Sequence, residues 1–334
     1  MKMHKSNKIR AVIGAAVASV LTAMAPVDNA SAETLSMLSG YAPTFAWYRE
    51  IGPRFIELVK EESKGDLDIR YNGPDTVPTF EQFQPVQSGV FDVLFTHPAY
   101  HSGTTSVGLA IDAIAVDPVK RREAGVFDYI DKHYQKRGMK LISAPSTGTK
   151  GFRFYLREPL KDDALKGRKI RGTVSYHPMI KALGGAPVNM PVSEVYTALQ
   201  RGTMDGAAWG LTGASDLKFY EVAKYMADPV FGQVGVMIMM NLERWNALKP
   251  AQQKAMLEAG RKIELESLAH FDKLQAEEYK TLIGHGVQIT KFSDADAKRL
   301  EALWSNGVWE VAEQVSGDDA RGLHNLARKA GMTE

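Results

Sequence analysis

Residues 80–97 read FEQFQPVQSGVFDVLFTH, and residues 193–210 read SEVYTALQRGTMDGAAWG. Gln87, Gly89 and Asp92 of the first stretch fall on Gln200, Gly202 and Asp205 of the second at one constant offset. Each copy carries a helical pattern, a glycine just past its end, an aspartate and then an apolar strand. A left-handed cap after a helix is cheap only for glycine. A nearly continuous apolar run such as VFDVLFTH marks a strand covered on both faces. Asp92 and Asp205 follow those glycines at strand starts, so they read as structural caps rather than as acids for catalysis. A chain that writes this unit twice is assembled from two halves of similar plan, and 334 residues are comfortable for two domains.

The flanking pattern fills in the plan. TLSMLSGYAP reads as a strand and turn, FAWYREIGPRFIELVKEES as an amphipathic helix, LDIRYN as a strand and TFEQFQPVQSG as a helix. Strand–helix–strand–helix–strand implies a parallel sheet with crossover helices. The order restarts with KLISAP as a strand and GFRFYL as an edge-like strand. A short strand at 168–171 follows, then helices in SYHPMIKALGG and VSEVYTALQRG, and the strand DGAAWG. The fold class is therefore α/β with two lobes. STGTKG at 146–151 lacks phosphate-loop spacing and reads as a hinge or turn.

From Pro250 to about Leu282 there is no further proline and one glycine, Gly260. Met256, Leu257, Ile263, Leu265, Leu268, Phe271 and Leu274 recur at helical spacing. Such a helix is roughly 50 Å long, more than the width of one lobe of ~120 residues. It either bends, breaks at Gly260, or runs across both lobes. The tail reads as two further helices with Ser293 and Ser316 as caps.

The first 32 residues stand apart. Lys2, Lys5, Lys8 and Arg10 precede the short apolar run AVIGAAVASVLTAMA, followed by Pro26 and the small residues Ala30, Ser31 and Ala32. This is the pattern of a cleaved secretory signal peptide, with cleavage expected after Ala32 and a soluble, exported mature chain. Its removal takes four basic residues and one acid, leaving 37 bases against 38 acids. Neither nucleic acid nor an anionic membrane surface is indicated by that balance. The chain has no cysteine, which excludes disulfides, cysteine metal sites and thiol catalysis.

In open α/β sheets, ligands sit beyond the carboxyl ends of the strands. The repeated units end at Thr96–His97 and at Trp209–Gly210, so these residues are expected to line a cleft between facing lobes. Arg171 ends the strand RKIR beside Gly172, and Arg153 alternates with Phe152 and Phe154. A guanidinium can hold a carboxylate through two parallel N–H bonds, although a strand arginine can equally serve a surface pair. Trp209 offers a flat apolar wall and one N–H donor, or simple core packing. Phe45, Trp47, Tyr48, Tyr100 and Tyr176 lie near strand ends or helix starts; most of them read as ordinary packing residues, but two facing the cleft are enough to imply a ligand with an apolar or aromatic body. His97 and His101 have a metal-like spacing, but Pro98 and Gly103 oppose a helix there; His97 is better suited to donate to a ligand. No G-x-S-x-G elbow, Walker loop or H-E-x-x-H motif is present.

LKGRKIRG at 165–172, ALGGAPVNMPVSEVYTALQRGTMDGAAW at 182–209 and KFYEVAKY at 218–225 closely resemble the signature of DctP-type solute-binding proteins of tripartite ATP-independent periplasmic (TRAP) transporters. The likeness extends over essentially the whole mature chain. It implies a periplasmic-binding-protein-like fold of two α/β lobes, with a long helix spanning both, and a binding protein rather than an enzyme. It implies a signal peptide at 1–32, one lobe from 33–150 plus about 236–278, and another from about 151–235 plus 279–334. It places the carboxylate-clamping arginine on Arg171, a helper on Arg153 and a pocket wall on Trp209. Thr96, His97, Tyr100, Phe45 and Tyr176 complete the expected ligand-binding set. Relatives often carry a glutamate, able to serve a bound cation, where this chain has Ala208; direct binding, with no metal or other cofactor, is expected. The implied partners are a small carboxylate and the small and large integral membrane subunits of the transporter. The greasy stretches FAWY and GAAWG favour a monocarboxylate, such as a 2-keto, 2-hydroxy or aromatic acid. The alternatives are a sugar acid or dicarboxylate, or a periplasmic enzyme or sensor subunit on the same scaffold.

Overall fold

The computed structural model describes residues 32–161 and 164–333. The expected signal segment, up to Ser31, lies outside the described residues. Among those described, no helix is long and apolar enough to cross a membrane.

Eleven strands are present among them: β1 (Glu33–Ser39), β2 (Leu67–Asn72), β3 (Val93–Thr96), β4 (Met139–Ser143), β5 (Phe152–Leu156), β6 (Lys169–Arg171), β7 (Ala186–Val188), β8 (Gly206–Gly210), β9 (Tyr225–Asp228), β10 (Met237–Asn241) and β11 (Gln288–Lys291). They form a five-stranded sheet in the order β2-β1-β3-β10-β4 and a six-stranded sheet in the order β11-β9-β5-β8-β6-β7. The helices are α1 (Ala46–Glu62), α2 (Phe83–Gln87), α3 (Pro118–Glu123), α4 (Val126–Gln135), α5 (His177–Ala182), α6 (Val192–Gln200), α7 (Phe219–Val222), α8 (Leu242–Ala247), α9 (Pro250–Gly284) and α10 (Asp294–Lys329).

The α/β architecture with two sheets follows the expected plan, with one systematic difference. β1 runs parallel to β2 and β3, as crossover helices require. Each sheet also holds an antiparallel strand brought in from the far side of the chain. β10 lies antiparallel between β3 and β4, and β5 lies antiparallel between β8 and β9. The expectation of an edge for GFRFYL is therefore overturned: β5 is flanked on both sides and all five of its residues are buried. Arginine alternating with phenylalanine mimics a strand with one wet face, but Arg153 is itself buried.

The repeated unit does the same structural task in both sheets. Gly89 and Gly202 take φ of +79° and +71° just beyond α2 and α6. Asp92 Oδ2 then accepts from the Ser36 amide at 2.6 Å and the Ser36 hydroxyl at 2.8 Å, while the Asp92 amide donates to the Ser36 carbonyl. Asp205 Oδ2 accepts from the Lys169 amide at 2.7 Å, and its own amide donates to the Lys169 carbonyl. In each half the aspartate fastens the helix–strand turn to the neighbouring parallel strand, which accounts for its recurrence in the sequence.

The chain passes between the sheets through segment 144–151, returns through 229–236, and passes again through α9. The first two run side by side: the Thr147 amide donates to the Val234 carbonyl and the Val236 amide to the Pro145 carbonyl. α9 is one helix of 35 residues that continues through Gly260. It packs against α1 and β4. Its distal half is bonded to segment 144–151, with Gln275 Nε2 donating to the Thr147 and Lys150 carbonyls. In the tail, Ser293 caps α10 by accepting from the Asp296 amide. A break at Gly317 (φ 48°, ψ −123°) divides α10 in two. Ser316 is not the second cap; its hydroxyl accepts from the Ser106 amide.

Gly260 explains why α9 lies so close to the first sheet. A Cβ there would stand 2.5 Å from the Ile142 carbonyl oxygen, and the Gly260 carbonyl accepts from the Ser143 hydroxyl at 2.7 Å. In an open helix, Gly→Ala stabilises by about 1 kcal/mol. Here Gly260→Ala forces backbone apart, so chemical denaturation should show a loss of about 1–3 kcal/mol; a gain would show that the contact yields.

Candidate functional site

β6, β8, β1 and β3 deliver their carboxyl ends, and the turns that follow them, to one region between the sheets. Arg171 is the last residue of β6 and is 1 % exposed. Its Nε and Nη2 donate to the Met190 carbonyl at 3.1 and 2.9 Å, and Nη1 lies 3.5 Å from the Ala208 carbonyl. The guanidinium carbon sits 4.8 Å from the Trp209 ring centre, a cation–π contact. No carboxylate among the described residues pairs with it. The charges and hydroxyls it senses belong to Tyr100, Tyr176 and Tyr41, and burial lowers its pKa from the ordinary arginine value. A buried cation held only by carbonyls and aromatic rings is far from its minimum energy, because desolvation is offset only by a well-placed counter-charge.

Aromatic rings build the walls. Phe45 stands at the N-cap position of α1 and Trp47 in its first turn. Trp47 stacks on Trp209 at 5.9 Å and 8°, and Phe45 meets Trp209 edge-on at 5.7 Å. Tyr41, just beyond β1, contacts Phe45, Trp47, Phe95 and Tyr100 at ring separations of 5.3–5.8 Å. Among the described residues, neither buried Tyr41 Oη nor buried Trp209 Nε1 has a hydrogen-bond partner of good geometry, although the Tyr100 hydroxyl is close enough to Tyr41 to interact with it. Burial drives the Tyr41 and Tyr176 hydroxyls well above the usual phenol pKa, so both remain neutral donors at physiological pH.

His97 caps the short turn that follows β3. Its Nδ1 accepts from the Ala99 amide at 3.2 Å, which leaves the proton of the neutral ring on Nε2. Nε2 lies 3.0 Å from Asp112 Oδ2, close but off the line of a hydrogen bond, so both atoms lack a well-directed partner. Asp112 is fully buried, and its Oδ1 accepts from the Gly235 amide at 2.9 Å.

Arg171, Trp209, Phe45, His97 and Tyr100 are thus brought together. His97 reaches Trp47 and Tyr100 at 6.2 and 6.0 Å between rings. Tyr176 lies within electrostatic reach of Arg171, while its ring packs on Phe152 and Trp304 at 5.0 Å. Two expected residues are turned elsewhere. Arg153 donates from Nη2 to Asp228 at 2.8 Å and from Nη1 to the Met226 sulfur at 2.9 Å; only its Nε is without a partner. The Thr96 hydroxyl donates to the His97 carbonyl at 3.3 Å. His101, stacked on Phe83, bonds through Nε2 to the Tyr134 hydroxyl at 2.7 Å. Its pKa is pushed down to about 3 by burial, so it is a neutral packing residue.

Tyr41 and Asp112 were not among the expected site residues. Tyr41 follows the first strand's carboxyl end, the position that the topology rule itself marks. Asp112 is a lone carboxylate in the apolar run GLAIDAIAV, and an acid in such a run is a signal of its own.

The family model for bacterial extracellular solute-binding protein, family 7 (DctP) matches residues 40–314. The 2,3-diketo-L-gulonate-binding periplasmic protein of Escherichia coli is 24% identical over 307 residues, covering 87% of this chain and 91% of that protein. The monocarboxylate 2-oxoacid-binding periplasmic protein of a Nostoc species is 25% identical over 328 residues, covering 92% of this chain and 88% of that one. Among solved structures, a TRAP periplasmic solute-binding protein from Desulfovibrio salexigens with bound orotic acid superposes with a TM-score of 0.79 at 21% identity, over 89% of this chain and 98% of that chain. An extracytoplasmic solute receptor of Bordetella pertussis that binds pyroglutamic acid gives a TM-score of 0.77 at 20% identity, over 89% and 100%.

The unpaired guanidinium makes a test that needs no ligand. Arg171→Met keeps the volume and removes a buried charge. The ligand-free variant should be at least as stable as the wild type, and a gain of about 1–3 kcal/mol in denaturant unfolding is expected. A loss of that size would show that Arg171 is already fully compensated by the protein.

Proposed function

Because the chain belongs to the bacterial extracellular solute-binding protein family 7, a family of receptors rather than enzymes, we propose that it captures a small organic monocarboxylate between its two sheets and delivers it to a TRAP transporter's membrane subunits. The acid is a 2-keto, 2-hydroxy or aromatic one, and the capture takes place in the periplasm after removal of residues 1–32. The observation that carries the reading is Arg171: a guanidinium 1 % exposed, with aromatic neighbours and no carboxylate partner among the described residues. A ligand carboxylate supplies the missing charge and takes two parallel N–H bonds.

The remaining chemistry of the cleft agrees with this ligand class. Tyr41 Oη, Trp209 Nε1 and the Nε2–H of His97 are buried donors without well-directed acceptors, which suits a keto or hydroxy oxygen beside the carboxylate. Phe45, Trp47, Tyr100 and Trp209 supply apolar faces for its body. Ala208 offers only a backbone carbonyl toward Arg171, so binding is direct, without a metal. Tyr176 orients Arg171 from behind. Arg153 lends at most its free Nε, and Thr96 shapes the floor without a free hydroxyl. Several relatives bind carboxylates, namely orotate, pyroglutamate, malonate and 2-oxoacids in those proteins, while a similar protein of Desulfovibrio desulfuricans holds the phosphate ester sn-glycerol-3-phosphate; an anionic group is what these ligands share.

Residues 33–150 with about 236–278 act as one lobe, and about 151–235 with 279–334 as the other. The side-by-side segments 144–151 and 229–236 serve as the hinge. Ligand selects the closed arrangement because only there does Arg171 share its charge.

The reading is tested by thermal shift with a panel of pyruvate, other 2-oxoacids, 2-hydroxy acids, pyroglutamate, orotate and dicarboxylates. At about a hundredfold excess over Kd, ligand should add roughly 2.7 kcal/mol, on the order of 5 °C in Tm for a chain of this size. Arg171→Met should be silent toward every acid. A full response in that variant, or conversion of the acid into another molecule, would overturn the proposal.

A further inference from the structure

α1 begins without a cap of its own. Phe45 occupies the N-cap position, its side chain makes no capping bond, and the first turn holds no acidic residue. A 17-residue helix whose first amides lack partners is missing about 1 kcal/mol of capping energy. The partner comes from the opposite sheet. Asp216, in the segment after β8, accepts from the Ala46 amide through Oδ2 at 2.9 Å. The same carboxylate takes Arg49 Nη1 at 3.2 Å, and a negative charge at this end also suits the helix dipole.

Further contacts converge on the segment that carries Asp216. Thr212 Oγ1 accepts from Trp47 Nε1 at 3.0 Å. Gly210 and Gly213 leave room for the Trp47 and Phe45 rings, which a Cβ at either position would meet at 2.5 and 2.3 Å. Ser215, next to Asp216, is held from behind by Glu278 of α9, which accepts from its amide at 2.7 Å and its hydroxyl at 2.6 Å. The receiving segment is therefore rigidly backed, and its two side-chain acceptors are spent on α1 rather than on its own half.

We infer that Asp216 is a positioning residue for the cleft: by capping α1 from the opposite half, it sets Phe45 and Trp47 over Trp209 when the halves come together. The role rests on the cleft being the carboxylate site proposed above. Asp216 touches no ligand; it acts through α1. Opening the cleft removes the cap, so part of the closing free energy is stored in one bond between a helix end and a carboxylate.

The test uses the mature chain, with Asp216→Ala and, as an independent member of the same contact, Thr212→Val. The Ala46 amide has Asp216 as its acceptor when the halves are together, so its hydrogen exchange, read in protein saturated with whichever probe acid binds, reports the cap. Exchange at Ala46 should be about tenfold faster in Asp216→Ala, with β8 amides unchanged. With pyruvate, pyroglutamate and orotate as probes, dissociation of whichever acid binds should be about tenfold faster, with the association rate unchanged; Thr212→Val should move dissociation in the same direction. Unchanged Ala46 exchange, or equal dissociation rates from wild type and Asp216→Ala, would sink the inference. Wild-type protein that responds to none of the acids is a different failure, in which the carboxylate reading itself falls and takes the positioning role with it.

Discussion

The site turns on a buried guanidinium with no carboxylate partner among the described residues. Arg171 ends its strand in a region that β1, β3 and β8 also feed, where three tyrosines and Trp209 interact with it. Tyr41, Tyr100 and Tyr176 offer neutral hydroxyls and Trp209 a ring face. None of these can neutralise a full positive charge. Carbonyls of Met190 and Ala208 hold its position. Such an arrangement is costly for a protein that only needs to fold, and sensible for one that must recognise an anion and release it again. Full compensation from an internal acid would leave no reason for a ligand to enter.

The aromatic walls make that charge effective. A shell of Phe45, Trp47, Tyr100 and Trp209 excludes water, and an ion pair inside it is stronger than one at the surface. In the capture proposed above, the same shell would confine the ligand's body and leave selection among acids to its ring faces and buried donors. Because Phe45 and Trp47 ride on α1 while Trp209 rides on β8, the shell is complete only when both halves contribute.

Much of this was legible in the chain because backbone requirements leave direct marks. The glycine and aspartate of each repeated unit fix a turn and fasten a strand, and both aspartates do so in the structure. The extent of α9, the cap at Ser293 and the convergence of Arg171 and Trp209 follow from periodicity, capping chemistry and strand-end topology; that α9 continues through Gly260 was one of the alternatives the periodicity left open. The errors have one origin. β10 and β5 lie antiparallel in their sheets, β10 against β3 and β5 against β8 and β9, and no local pattern announces partners so distant in sequence. Arg153 looked like a residue facing an open side because its partners, Asp228 and Met226, lie on β9, more than seventy residues away. Tyr41 and Asp112 were passed over for the opposite reason: each sits in an apolar context that reads locally as core.

α9 carries a mechanical consequence. Near Gly260 it lies against the backbone of β4, and at Glu278 it grips the segment after β8. The two attachments are eighteen residues apart along an uninterrupted helix, about 27 Å at the standard rise. A rod fastened at both ends preserves its length but tolerates twist and bend. The two sheets therefore cannot drift apart or slide; the freedom left to them is angular, a pivot whose radius the rod dictates. For the capture proposed above, a tether of fixed length at both ends favours rotation of one half against the other over separation or sliding.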